Sequence, residues 1–226
     1  LFHTTSPAHI DLCSIVWPEA GVRYLSLDAE VPRDRSDPSG AGAYGTFVRL
    51  GVDHILGGWD HLAFVLALLL GAASLRALLG IVTAFTVAHS ISLAAAVLGW
   101  VDVGRHGPLV EAAIALSIAW VALDLVRAPD KRRGRWPEAF VLGLVHGLGF
   151  AGFLGESLVG EEALGMALFG FNVGVELGQL AVVAVALVLL RLVARGDDDF
   201  LVKRGVRRAG GLVLGLVALG WFFARL

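Results

Sequence analysis

Six long apolar stretches follow one another between residue 50 and the C-terminus, and they limit the fold of this chain more than any other feature. They lie at about 50–72, 77–100, 108–127, 138–156, 162–194 and 209–225. Each is close to the roughly 20 residues that an α-helix needs to cross the hydrocarbon core of a bilayer. Because a spanning segment must satisfy its own backbone hydrogen bonds, these stretches predict helices. We expect an all-α membrane protein, a bundle of about six transmembrane helices formed by residues 50–226.

The amino-acid composition leads to the same class of protein. Hydrophobic residues make up 57% of the chain and charged residues 17%, whereas soluble domains average about 45–50% and about 25%. The lipid bilayer is therefore an expected partner. A net charge of −2 gives no electrostatic basis for binding nucleic acid. Cys13 is the single cysteine, which excludes an intrachain disulfide and a cluster of thiolate metal ligands.

Residues 1–49 form a short polar segment before the first apolar stretch. Apolar and polar residues alternate from Leu25 to Val31, which predicts a strand, so we expect this segment to be partly β. Residues 37–42 have the composition of a linker. The segment is too short for an independent core and is expected to be the end of a β-rich domain. The chain starts at Leu1 without a visible signal peptide, so we expect a processed chain or a fragment.

The distribution of basic residues predicts the orientation. The connections after the first, third and fifth stretches, with the residues that flank them, hold 12 of the 18 lysines and arginines. Cytoplasmic loops of membrane proteins carry the excess of lysine and arginine. We therefore expect a bacterial-type inner (plasma) membrane protein with several spans, with both termini and residues 1–49 on the extracytoplasmic side.

Ionisable side chains occur where the first stretch begins. His54 and His61 are seven residues apart, which on one continuous helix would place them on one face, and Asp53 and Asp60 have the same spacing. A carboxylate beside an imidazole can orient the ring toward a metal ion. We interpret Asp53 and His54 as the outer mouth of a site and Asp60 and His61 as part of its centre. The alternative for the first two is a position at the headgroup interface.

Three other stretches carry polar groups at similar depth. These are His89 with Thr86 and Ser90, His146 among glycines, and Glu176 with Asn172 and Gln179 on one helical face. Counted from the ends of their stretches, His61, His89 and His146 converge near one level, and Glu176 is at a compatible depth. Imidazole and carboxylate ligands suit Ni(II), Co(II) and Zn(II). We predict one divalent transition-metal site from Asp60, His61, His89, His146, Glu176 and His54. Structural roles for the hydroxyls and a protonated Glu176 stay open.

The residues of these motifs resemble a known family. The stretches are His54-x5-Asp60-His61, residues 83–90, residues 145–152 and residues 171–179. They are similar to the HupE/UreJ family of membrane proteins, which are associated with hydrogenase and urease and regarded as nickel or cobalt permeases. Val145 precedes His146, and Phe150 stands where a second histidine would be expected. The chain therefore looks more like the branch with an N-terminal extracytoplasmic domain.

Three functions remain open from the sequence. The first is a nickel or cobalt permease with a midplane site. The second is an intramembrane zinc hydrolase with three histidine ligands and Glu176 as general base, although no His-Glu-x-x-His signature is present. The third is a protein that binds a metal or a partner without transport. The repeat of Gly170, Gly174 and Gly178 fits either a homo-oligomer or packing within one bundle.

Overall fold

The computed structural model describes residues 10–17, 21–28, 41–127, 135–150, 161–194 and 204–226. Within them lie strands β1 (Ile10–Trp17) and β2 (Gly21–Asp28), a 3₁₀ turn (Gly104–His106), and helices α1 (Ala41–Gly57), α2 (Trp59–Gly71), α3 (Leu75–Val97), α4 (Gly107–Arg127), α5 (Trp136–Gly149), α6 (Glu161–Ala194) and α7 (Arg204–Ala224). From Ala41 onward, every described element is helical.

The N-terminal segment forms a hairpin. β1 and β2 pair antiparallel, with Ile10 opposite Asp28 and Trp17 opposite Gly21. The alternation expected from Leu25 to Val31 coincides with the end of β2, and residues 29–31 lie outside the described residues. A two-stranded hairpin is marginal by itself, and its place at the end of a β-rich domain stays a prediction. In its described part, the protein is an all-helical domain preceded by this hairpin.

The prediction of six spans is not borne out by the described residues. Four helices are long and apolar enough to cross a membrane: Leu75–Val97, Gly107–Arg127, Leu164–Leu190 and Gly205–Ala224. A fifth span results if α1 and α2 are counted together. The predicted stretch 138–156 overlaps α5, which has 14 residues and ends at Gly149. Residues 151–156 of the predicted stretch lie outside the described residues.

The predicted first span is two helices with an angle of 75° between them. The break lies at Gly58, whose φ of −85° and ψ of 98° are extended rather than helical. A Cβ on Gly58 would come 2.6 Å from Nδ1 of His61 and 2.9 Å from the carbonyl oxygen of His54. Gly58 therefore permits a close approach that any side chain would obstruct, and the polypeptide turns there between two histidines.

Glycines bring α1 and α6 into backbone contact. A Cβ on Gly174 would come 2.9 Å from Cα of Gly51. Gly170 lies against Tyr44 and Phe47, and Gly178 lies against Ile55. The glycine repeat of α6 is thus occupied by α1 of the same chain, which accounts for it by packing within the bundle.

Two other helix pairs are equally close. A Cβ on Gly143 of α5 would come 2.5 Å from the carbonyl oxygen of Phe85 in α3, and one on Gly211 of α7 would come 2.8 Å from that of Ala122 in α4. Small residues allow this approach, which strengthens van der Waals packing between membrane helices. The pairing fixes α5 beside α3, which positions the histidines that these helices carry.

Arginines join the helices at the end of the bundle where α2 finishes. Nε of Arg207 in α7 donates a hydrogen bond of 2.7 Å to the carbonyl oxygen of Leu70. Arg135 forms an ion pair with Asp124 of α4 and lies 3.5 Å from Glu138. We call this end, defined by Arg135 and Arg207, the basic end of the bundle.

Candidate functional site

Four histidines from four different helices meet inside the bundle. They are His54 of α1, His61 of α2, His89 of α3 and His146 of α5. Ring centroids are 4.5 Å apart for His54 and His61, and 5.6 Å apart for His61 and His146. The ring of His89 is 6.1 Å from that of His54 and 6.4 Å from that of His61. We call this group the imidazole cluster, and His61 contacts each of the other three members.

The break at Gly58 creates this cluster. On a straight helix His54 and His61 would be separated by about 10 Å of axial rise. The bend brings their ring centroids to 4.5 Å. The structure therefore places His54 beside His61, not at a separate outer mouth as the assumption of one continuous helix had implied. Asp53 points elsewhere, with its carboxylate 3.4 Å from Nε of Arg49 at the surface.

Most ring nitrogens of the cluster are buried without a hydrogen bond. Among the described residues, neither nitrogen of His61 or of His89 has a hydrogen-bond partner, and the same holds for Nε2 of His54 and Nδ1 of His146. A buried polar atom without a partner costs about 1–3 kcal/mol. Several such atoms converging in one place indicate a binding site, because a bound group would satisfy them.

The tautomer of His146 follows from its hydrogen bond to Ser117. The Ser117 hydroxyl donates to the carbonyl oxygen of Ile114 at 2.6 Å, and its oxygen lies 2.9 Å from Nε2 of His146. Since a hydroxyl has a single proton, Nε2–H of His146 is the donor in the second contact. Nδ1 of His146 then carries the lone pair that a metal ion requires. The sequence showed Ser117 only as an isolated hydroxyl in the third span.

Phenylalanine rings enclose the cluster. Phe150, directly after α5, and Phe171 of α6 lie 4.2 and 5.4 Å from His54 by ring centroid, and they stack on each other at 4.9 Å. On the other side, Phe64 and Phe85 lie 4.8 and 5.1 Å from His146. The imidazoles thus occupy an apolar chamber, in which electrostatic interactions are stronger than in water.

Each predicted carboxylate has one oxygen bonded to a residue outside the imidazole cluster. Oδ2 of Asp60 is 2.7 Å from Nη2 of Arg225, at the end of α7. Oε1 of Glu176 accepts a hydrogen bond of 2.8 Å from the hydroxyl of Thr83. Oδ1 of Asp60 and Oε2 of Glu176 are buried without a hydrogen-bond partner among the described residues, so a mixed set of imidazole and carboxylate ligands stays a prediction.

The predicted supporting residues have separate roles. The hydroxyl of Thr86 lies 2.9 Å from Oε1 of Gln179, which joins α3 to α6. The hydroxyl of Ser90 donates to the carbonyl oxygen of Thr86, and Nδ2 of Asn172 donates to that of Leu168. Ser90 and Asn172 thus bond to their own helices, and of these residues Thr86 and Gln179 alone connect two elements.

The coordination geometry of the cluster is open. In the described ranges of the chain, no group of three or more His, Cys, Asp or Glu side chains is arranged to hold a metal ion. Zinc–nitrogen bonds are about 2.0–2.1 Å long, and the described side chains include no group of three whose donor atoms are placed to bind one ion. The donor atoms suit a transition metal. In the described residues, they are not arranged as a complete coordination site.

Residues 33–225 match the family model described as HupE / UreJ protein. The chain belongs to the HupE/UreJ family. The match covers all the described helices, from Ala41 to Ala224. It confirms the resemblance drawn from the histidine motifs. No curated protein and no solved structure matches the chain. As a HupE/UreJ protein with several apolar helices, it is a multi-pass membrane protein, and the family links it to the handling of nickel or cobalt.

Proposed function

We propose that this HupE/UreJ protein is a permease for a divalent transition-metal ion, nickel or cobalt, and that the ion passes through the imidazole cluster. The observation that carries the proposal is the convergence of buried ring nitrogens without hydrogen-bond partners among the described residues. Imidazole nitrogen suits nickel, cobalt, copper and zinc, whereas magnesium and calcium prefer oxygen. A cation in the chamber would satisfy these nitrogens.

The open geometry supports passage of the ion. A conducting site must bind an ion well enough to admit it and weakly enough to release it. Each imidazole belongs to a different helix, so a small relative movement of α1, α2, α3 or α5 alters the distances between donor atoms. Broken helices are also how many transporters build a binding site near the midplane, and α1 and α2 form such a pair.

The hydrolase alternative has less support. It requires a general base beside a metal-bound water, and a base must lie within about 2.6–3.2 Å of the proton that it removes. Glu176, the expected base, is hydrogen-bonded to Thr83, six residues before His89 in α3. That spacing corresponds to about 9 Å along the helix axis. Zinc remains a cation that the imidazoles can bind.

The arrangement of charges supports an orientation for transport. The basic end of the bundle would lie in the cytoplasm, following the rule for lysine and arginine. Asp60, Glu111 and Arg225 meet at the opposite end, which would then face the exterior. In a bacterial-type inner membrane, the ion would enter near Asp60 and His61 and leave toward the basic end.

Uptake into proteoliposomes tests this function. We expect the unmodified protein to transport Ni²⁺ or Co²⁺, and His61→Ala and His89→Ala to reduce uptake and binding together. His106 is exposed in the 3₁₀ turn, so His106→Ala is the matched control and should transport normally. Equal uptake by His61→Ala and the unmodified protein would contradict the proposal. Tight retention of metal without uptake would favour a binding protein or the hydrolase.

A further inference from the structure

Glu176 differs from five other carboxylates of the described helices. Those five lie near arginines: Asp53 near Arg49, Asp60 and Glu111 near Arg225, and Asp124 and Glu138 near Arg135. Within the described residues, Glu176 has no basic partner, and its one hydrogen bond comes from the neutral hydroxyl of Thr83. Its other oxygen, Oε2, is buried without a partner. An ionisable group in a membrane helix without a countercharge indicates a functional site.

Glu176 lies on a polar seam between α3 and α6, defined by the pairs Thr83–Glu176 and Thr86–Gln179. Going from Thr83 to Thr86 to His89, the polar residues of α3 occur every three positions, so they share one helical face. The seam therefore begins at the imidazole cluster and extends about 9 Å toward the start of α3. The start of α3 follows α2 directly, so the seam runs toward the basic end.

The seam has different donor chemistry from the cluster. Its polar atoms at the Glu176 pair are carboxylate and hydroxyl oxygens, whereas the cluster presents imidazole nitrogens. A borderline transition-metal ion generally prefers nitrogen to oxygen, so an oxygen site would hold it less tightly. The negative charge of a carboxylate still attracts a cation in an apolar segment.

We propose that Glu176 and Thr83 form a second, oxygen-donor station for the transported divalent cation, which receives the ion as it leaves the imidazole cluster. This inference rests on the proposed permease function and names a step within it. The cluster binds the ion, and the station lowers the barrier to its release toward the basic end. Removing the charge of Glu176 should therefore impair transport more than binding.

The test separates equilibrium binding from flux. Glu176→Gln keeps the size of the side chain and removes its charge, and Glu138→Gln is the matched control at a half-exposed carboxylate. With Ni²⁺ and Co²⁺ as probes, we expect Glu176→Gln to bind metal with unchanged stoichiometry and nearly unchanged affinity. Its uptake into proteoliposomes should fall about tenfold or more, as happens when groups that support a metal site are removed. Glu138→Gln should match the unmodified protein in both measurements.

Two results would contradict the proposal that Glu176 and Thr83 form a second station for the ion. Normal uptake by Glu176→Gln would show that the ion does not need this carboxylate. Loss of binding by a folded Glu176→Gln would place the carboxylate in the main site. If that variant does not fold, Thr83→Val replaces it and should likewise reduce uptake while preserving binding; unchanged uptake would reject the station. Absence of uptake by the unmodified protein would instead reject the permease function, and the station with it.

Discussion

Nη2 of Arg225 lies 2.7 Å from Oδ2 of Asp60, so the end of α7 is joined to the start of the helix that carries His61. Nη1 of the same arginine donates a hydrogen bond of 3.2 Å to the carbonyl oxygen of Glu111 in α4. One guanidinium therefore connects three helices at the end of the bundle opposite to the basic end. Asp60 adjoins His61 in the chain, so this connection also restrains the turn of α2 that carries His61.

Replacing this guanidinium should destabilise the protein. The side chains of Arg225 and Asp60 are 23% and 20% exposed, and a hydrogen bond to a charged group contributes about 1.5–3 kcal/mol. We expect Arg225→Gln to lower the thermal midpoint in detergent, measured by tryptophan fluorescence. Arg49→Gln is the control, because its pair with Asp53 is more exposed, at 73% and 38%, and such pairs contribute about 0–1 kcal/mol.

The double variant Arg225→Gln/Asp60→Asn shows whether the two residues act through each other. If they do, removing the unpaired carboxylate recovers part of the stability lost in Arg225→Gln, and the two effects are not additive. If the stability losses of the two single variants simply add in the double variant, the ion pair between Arg225 and Asp60 contributes little to stability.

Gly58 provides a test of the helix break. A methyl group there would approach Nδ1 of His61 and the carbonyl oxygen of His54, whereas one on Gly57 would meet nothing within 4 Å. We expect Gly58→Ala to displace His61 and to weaken Ni²⁺ binding strongly in isothermal titration calorimetry. Crowding of this kind costs about 1–3 kcal/mol. Gly57→Ala adds the same methyl group and should bind like the unmodified protein; equal effects of both changes would refute the role of Gly58.

Much of this architecture can be predicted from sequence because hydropathy and helix length are local properties. Apolar stretches matched α3, α4, α6 and α7 closely, and His89 and His146, which residue counts place at the depth of His61, have ring centroids 6.4 and 5.6 Å from that of His61. Both depend on residue counts along single helices. The match to the HupE/UreJ family likewise agrees with motifs that can be read directly from the chain.

The remaining features depend on contacts between helices, which residue counts do not contain. Gly57 and Gly58 are identical in sequence, but only Gly58 lies where the chain bends, so the contact of His54 with His61 was missed. Asp60 was assigned to the metal site because it adjoins His61 in the chain. Its partner is Arg225, which is 165 residues away, and no local pattern links them.

Ser117 should control the tautomer of His146 without contacting the ion. Ser117→Ala removes the acceptor for Nε2–H, so the ring can place its proton on Nδ1 and lose the lone pair that faces the chamber. Loss of such a partner reduces metal affinity by about 10–100-fold. The control is Ser90→Ala, because among the described residues Ser90 has one hydrogen bond, to the carbonyl oxygen of Thr86 in its own helix. Similar Ni²⁺ affinity in both variants would remove Ser117 from the site.

Phe150 should determine how readily the cluster releases an ion. Its ring centroid is 4.2 Å from that of His54, and it stands at the position where other members of the family are expected to have a second histidine. Phe150→His would add a nitrogen ligand where the chamber now has an apolar wall, so we expect tighter binding of Ni²⁺. Since most differences in affinity arise from dissociation, metal release measured by stopped-flow competition with a chelator should be slower.

Phe150→Leu is the control for this substitution, because it keeps the wall apolar and adds no ligand. We expect its affinity for Ni²⁺ to stay close to that of the unmodified protein, whereas Phe150→His gains about 1.4 kcal/mol for each tenfold decrease in Kd. Uptake by Phe150→His should then fall while binding rises, since an ion held more tightly leaves more slowly. Faster uptake together with tighter binding would contradict the view that the open geometry of the imidazole cluster serves release.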